Sequence, residues 1–160
     1  MVDGRAEKRP ERVQRRIVGW REWARLPQLG DFLIKAKIDT GAKTSALHAF
    51  EPETFERRGE RWVRFKIHPV QGADEPAIPC EAKVTDEREV TSSNGQAEMR
   101  LFITTRLRIG PYKIPVELSL TNRDELGFRV LIGRAVMKKR FLVDSGRSFA
   151  FGEPGEGEGK

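Results

Sequence analysis

The sequence predicts an all-β fold, a closed barrel with one short helix near its C-terminal end. Three observations predict it. Val, Ile and Thr cluster in short runs, and apolar and polar residues alternate cleanly at period two over residues 62–67. The 15 Gly and 9 Pro fall between such runs, where turns belong. Good helix formers gather only over residues 135–140. At 160 residues the chain is long enough for one domain with a real core and too short for two comfortable ones.

Taken in order, residues 1–15 are polar, lack apolar periodicity and are expected to form a disordered basic arm. The domain is expected over residues 16–152, and the Gly/Glu-rich stretch 153–160 as a disordered tail. Residues 17–26 read as a strand with an irregularity at Gly19, and 27–30 as a turn. Residues 32–38 read as the returning strand, so the hairpin delivers Asp39 at its end. A third strand is expected over 45–50, a polar link over 51–61, a strand over 62–67, a turn region over 71–79 and a weaker strand over 79–86. Asn94-Gly95 is the strongest hairpin signal, because a two-residue type I′ turn needs two positive-φ positions. Its tip has little apolar content and should project into solvent. A long strand over 101–109 turns at Gly110-Pro111 into another over 112–120. The apolar run 130–132 stops at Gly133 and leads into the helix, after which strands are expected over 141–144 and 148–151.

Composition narrows the function. The net charge of +6 and pI near 9.8 support a mild preference for an acidic partner, and part of that charge sits in the N-terminal arm. A lone cysteine, Cys80, cannot form an internal disulfide, which suits a reducing compartment. No apolar run reaches the roughly 18 residues of a membrane span and no signal peptide is visible, so a cytoplasmic protein with no membrane partner is expected. His48, His68 and Cys80 share no ligand spacing, and His-Glu-x-x-His is absent, so no metal is expected. No phosphate-binding Gly-x-x-x-x-Gly-Lys loop exists, no Ser/His/Asp signature is visible, and no cofactor is expected.

The stretch Lys35-Ala36-Lys37-Ile38-Asp39-Thr40-Gly41-Ala42-Lys43-Thr44-Ser45 carries the chemistry. It is a half-buried strand that stops abruptly and presents one carboxylate. Gly41 permits a sharp turn and close approach of another backbone. Alone, Asp39 reads equally well as a turn residue capping the next amides. Together with Ser92-Ser93-Asn94-Gly95, residues 118–123, Val130-Leu131-Ile132-Gly133-Arg134 and Arg140-Phe141-Leu142-Val143-Asp144, the stretch resembles the retropepsin-like aspartic proteases. The resemblance is strongest to the bacterial branch often labelled ATP-dependent zinc proteases, and it spans residues 17–151. It implies a homodimer in which two Asp39 carboxylates share one proton and activate a water. It further implies that Thr40 braces the catalytic loop, that Gly41 and Ala42 shape it, and that Ile132, Gly133 and Arg134 form the second motif. Ser93, Asn94 and Gly95 become the flap that closes on an extended peptide.

Viral relatives often carry an acid where this chain has Lys43, so Arg134 is expected to find another partner. Asp144-Ser145-Gly146 repeats the local pattern, but too little chain follows it for a second lobe, and a strand-ending turn is expected there. The leading expectation is an aspartic endopeptidase for peptides or proteins, acidic or glutamate-rich tails among them. The alternative is a non-catalytic basic β-barrel that binds RNA or acidic protein segments, with nucleic acid the less favoured partner.

Overall fold

The computed structural model describes residues 15–91, 95–122 and 127–152. The expected arm up to residue 14, the hairpin residues Ser93 and Asn94, Arg123 and the expected tail 153–160 lie outside the described residues. Strands dominate: β1 (Arg16–Arg25), β2 (Leu33–Ile38), β3 (Ser45–His48), β4 (Phe50–Arg57), β5 (Glu60–Ile67), β6 (Ile78–Lys83), β7 (Asp86–Thr91), β8 (Ala97–Ile109), β9 (Tyr112–Thr121), β10 (Val130–Ile132) and β11 (Phe141–Ser148). Among the described residues the α-helical structure is the single short α1 (Arg134–Met137), and Pro27–Leu29 forms a 3-10 turn between β1 and β2.

Period-two patterning places the core. In β2, Ile34, Ala36 and Ile38 point inward while Leu33, Lys35 and Lys37 face outward. Ile103, Leu107 and Ile109 of β8 meet Ile114, Val116 and Leu118 of β9 in the same cluster. The main sheet runs β11-β1-β2-β10-β3-β9-β8-β7, and a short ladder, Ala24↔Ile109 and Arg25↔Arg108, also joins β1 to β8. A separate three-stranded sheet, β4-β5-β6, packs Val63, Phe65, Ile67 and Cys80 onto the core. The strands thus divide between two sheets.

Several local expectations change. Residues 51–61 are not a link: Phe50–Arg57 is strand β4, joined to β5 by Arg58 and Gly59 at φ 53° and 77°. Its burial is mostly on no face, which hides the period, and pairing to β5 with cross-strand contacts such as Arg64 to Glu53 at 3.4 Å fixes it instead. That turn has the two positive-φ residues expected at Asn94-Gly95. Strands β7 and β8 pair antiparallel on either side of that position, with Thr91↔Ala97 the last pair among the described residues, and the turn at Asn94 itself lies outside them. Strand β11 runs on through Asp144 to Ser148, and residues 149–152 form a turn rather than a strand.

That turn is held by a buried carboxylate. Glu22 is fully buried in β1 and accepts hydrogen bonds from the backbone N–H groups of Gly19 at 2.7 Å, Ala150 at 2.8 Å and Phe151 at 3.3 Å. A carboxyl group so placed is tolerated because amide donors surround it. Glu22→Gln turns an acceptor edge into a donor facing those amides, and should lower stability by about 2 kcal/mol in urea unfolding. Cys80 is a second buried group, its thiol donating to Leu29 O at 3.2 Å, and burial pushes its pKa up to about 11. Between pH 9 and 11 the unfolded chain sheds this proton and the folded chain keeps it. Stability should therefore fall across that window in denaturation at stepped pH, and Cys80→Ala should flatten the fall.

Candidate active site

Strand β10 lies between β2 and β3, parallel to the first with Ile132↔Ile38 and antiparallel to the second with Leu131↔Ala46. The segment joining β2 to β3, residues 39–44, must therefore arch over the end of β10, and the two sequence motifs meet there. Asp39 N–H donates to Ile132 O at 2.8 Å, Arg134 N–H to Ala42 O at 2.8 Å and Ala135 N–H to Lys43 O at 3.0 Å. Gly133 N–H donates to the Ser45 hydroxyl at 2.9 Å. A Cβ on Gly133 would sit 2.5 Å from Thr44 O and 2.9 Å from Ala42 O, closer than non-bonded atoms can approach. Gly133 is required by this crossing and not by its backbone angles, which are extended. Arg134, lacking an acid at position 43, donates from Nη1 to Thr40 O at 3.0 Å.

The Asp39 carboxylate accepts the Gly41 N–H at 3.0 Å, and a Cβ on Gly41 would crowd the same oxygen at 3.2 Å. Asp144 forms the identical local turn, with Gly146 N–H donating to its Oδ1 at 3.0 Å. The expected strand-ending turn at Asp144 is instead a bulge within β11, where the ladder to β1 slips between Asp144 and Ser148. Local geometry does not separate the two aspartates. Surroundings do, because only Asp39 has the β10 crossing beneath it and a cleft before it.

That cleft has a volume of about 880 Å³ and is lined by Asp39, Gly41, Ala42, Lys43 and Thr44 on one side. Arg88, Glu89, Val90 and Thr91 of β7 line the other, with Leu131, Phe102, Phe128 and Arg129 between. Gly95, exposed at φ 83°, belongs to the β7–β8 connection beyond this wall, and is not itself a lining residue. The lining cations escaped the sequence reading. Arg88 pairs with Glu117 at 2.7 Å and Asp86 at 3.2 Å and lies over the Phe102 ring at 3.8 Å. Arg100 pairs with Glu98 at 2.6 Å and donates to the Ser119 hydroxyl at 3.3 Å, which donates in turn to Ser45 O at 3.3 Å. A hydrogen-bond chain thus runs from the cleft wall to Ser45 and Gly133. No spacing in the sequence signals it, because its members come from β8, β9, β3 and the end of β10.

The two histidines are engaged by neighbouring side chains and backbone, and His48 also lines the cleft. Arg129 can only donate, so its 3.1 Å contact makes His48 Nδ1 an acceptor, and Nε2 then donates to Asn122 O at 2.9 Å. Phe50 stacks on both His48 and His68, at 4.2 and 3.7 Å between centroids. Among the described residues no group of three or more His, Cys, Asp or Glu is placed to hold a metal ion, and these residues do not fit a zinc site. No helix among them is long and apolar enough to cross a membrane.

A family model described as "RimB-like: Retropepsin-like aspartic endopeptidase RimB" matches residues 17–154. The chain belongs to this family. It is also similar to longer proteins named "Probable alpha-L-glutamate ligase": 45% identical over 140 residues in Shewanella pealeana, covering 88% of this chain and 31% of that protein. In Desulfotalea psychrophila the identity is 40% over 141 residues, covering 88% and 30%, and in Parasynechococcus marenigrum 44% over 137 residues, covering 86% and 29%. The chain thus spans under a third of the length of these relatives. The crystal structure of Lpg0085 from Legionella pneumophila, a protein of unknown function, shares the fold at a TM-score of 0.71 and 24% identity, covering 86% of this chain and 99% of that one.

Substitutions at the crossing should rank by what they displace. Gly133→Ala forces Thr44 and Ala42 apart and should cost about 2 kcal/mol or more, whereas Ser45→Ala loses one buried bond and should cost about 1 kcal/mol. Urea denaturation of both variants measures the difference.

Proposed function

We propose that this chain is a cytoplasmic aspartic endopeptidase, a closed-barrel homodimer in which Asp39 of each subunit contributes one carboxylate. The observation that carries the reading is the crossing of the Asp39 loop over Ile132-Gly133-Arg134, with the loop itself lining the cleft. It fixes Asp39 by backbone hydrogen bonds on both sides, as a group that must meet a scissile bond at a set angle requires. Membership of a family described by this activity supports it, and so does the flanking β7 wall, which an extended peptide could approach as a strand. The two-pair β1–β8 ladder supports barrel closure.

One carboxylate cannot both take a proton from water and give one to the carbonyl oxygen. With two in contact, one stays protonated because adjacent negative charges repel. The ionised member takes a proton from the attacking water while its partner donates to the substrate oxygen. The dimer supplies the second member. Of the other acids lining the cleft, Glu117 is engaged by Arg88. The edge strand β11, where Leu142 lies beside Ile17 in register and both are about half exposed, supports a second copy docking there. Thr40 braces the paired loops, and the β7–β8 connection around Gly95 acts as the flap. Acidic or glutamate-rich peptides are the favoured substrates, supported by the cationic lining and by the ligase names of the longer relatives.

Asp39→Asn should reduce cleavage of a glutamate-rich peptide library by on the order of 10³-fold or more while leaving the fold intact. Sedimentation of the wild type should show a dimer, and specific activity should fall on dilution. Full activity in Asp39→Asn would remove the catalytic assignment and favour a binding role. Full activity in a demonstrated monomer would place the second carboxylate within the chain, with Glu89 the first to test.

A further inference from the structure

Among the described residues, the cations of two surfaces differ in their partners. On the three-stranded sheet, Arg57, Arg61, Arg64, Lys66 and Lys83 each have a carboxylate partner. Such pairs largely cancel one another's field. On the outward face of β1 and β2 the pattern is different. Arg21 lies opposite Lys37 and Trp23 opposite Lys35, all four pointing away from the core. Among the described residues no carboxylate is in ion-pair contact with Arg21, Lys35 or Lys37.

Arg21 and Lys35 are held by aromatic faces without being neutralised. The Arg21 guanidinium lies 4.7 Å from the Trp20 ring centroid and 5.0 Å from that of Phe149, and its Nε donates to the Ser148 hydroxyl at 3.1 Å. Lys35 Nζ lies 5.4 Å from the Trp23 ring, which is itself stacked on Phe149 at 5.4 Å. An aromatic face orients a cation and leaves its charge available to a ligand. The row is also continuous with the cleft. Lys37 is two residues before Asp39, one residue short of the end of β2, and pairs in register with Leu131, a cleft-lining residue.

We propose that this face is a binding track for an acidic polypeptide, holding the part of the substrate that extends away from the scissile bond. The proposal rests on the peptidase reading for its orientation, and on the unpaired charge for its ligand. Side chains on one face of a strand recur about every 6.8 Å, and an extended acidic chain presents alternate carboxylates at the same interval. Lys37 and Lys35 therefore match successive outward carboxylates, with Arg21 beside them on the neighbouring strand. Carboxylates gain charge-assisted bonds there without displacing an existing partner.

Fluorescence anisotropy of a labelled ten-residue oligoglutamate tests this, measured in an Asp39→Asn background so that the peptide persists. R21Q/K35Q/K37Q should weaken binding at least tenfold and flatten its dependence on salt. R57Q/R64Q/K83Q removes the same charge from the three-stranded sheet and should leave binding within twofold. K35R/K37R should retain affinity, which separates loss of charge from loss of fold, and thermal unfolding of each variant checks the latter. Equal affinity in the first variant and its background, or equal loss in the two neutralising variants, would overturn the track. Tighter binding of a single-stranded RNA of equal charge at the same salt would overturn it in favour of nucleic acid. If the Asp39→Asn protein itself cleaves the peptide, the catalytic reading fails, while the comparison of binding among variants still decides the track.

Discussion

The approach of Gly133 to the carbonyl oxygens of Thr44 and Ala42 is the constraint on which the candidate site depends. At 2.5 and 2.9 Å from its would-be Cβ, those oxygens leave room for a hydrogen and nothing larger. Because the backbones come so close, Ile132 O, Gly133 N–H and Arg134 N–H all bond directly to the Asp39 loop or to Ser45 that follows it. A loop that would otherwise be an ordinary strand connection is thereby fixed from below along its length. The precision needed to aim a carboxylate comes from that support, and the carboxylate's own contact with Gly41 adds little to it.

Asp144 makes the same point by contrast. It carries the same Asp-x-Gly turn with the same 3.0 Å bond, yet it sits in a bulge on an edge strand. An aspartate followed two residues later by glycine specifies a turn. What the turn presents, and to what, is decided by the strand that passes beneath it. The Arg100–Ser119–Ser45 chain extends the same support into the cleft wall, so that the wall and the loop are parts of one hydrogen-bonded unit.

Charge is distributed to match. Cations of the three-stranded sheet are matched by carboxylates on the same sheet or its neighbours, and the polar strand β4 is held by its ladder to β5. Around Asp39 the arrangement is mixed: Arg88 and Arg100 are matched by acids, while Lys35 and Lys37 on the approach from β2 are not. The net charge of +6 does not show this division, since it is a sum over the whole chain.

The amino-acid sequence by itself determined the β-dominated character, most strand positions and the two motifs, because each is written in local signals: period-two burial, glycine at stops, and a carboxylate at a strand end. It did not determine β4, whose polar residues show no period and whose strand exists through its pairing to β5. It did not signal the tight turn at Arg58-Gly59, where both residues have positive φ, because the polar run around it shows no strand period on either side. Arg88, Arg100 and Arg129 looked like ordinary surface charge until non-adjacent strands brought them to one cleft. Only the tertiary structure could insert β10 between β2 and β3, and with it the difference between Asp39 and Asp144. Long-range pairing carries that information, and no window of sequence contains both partners.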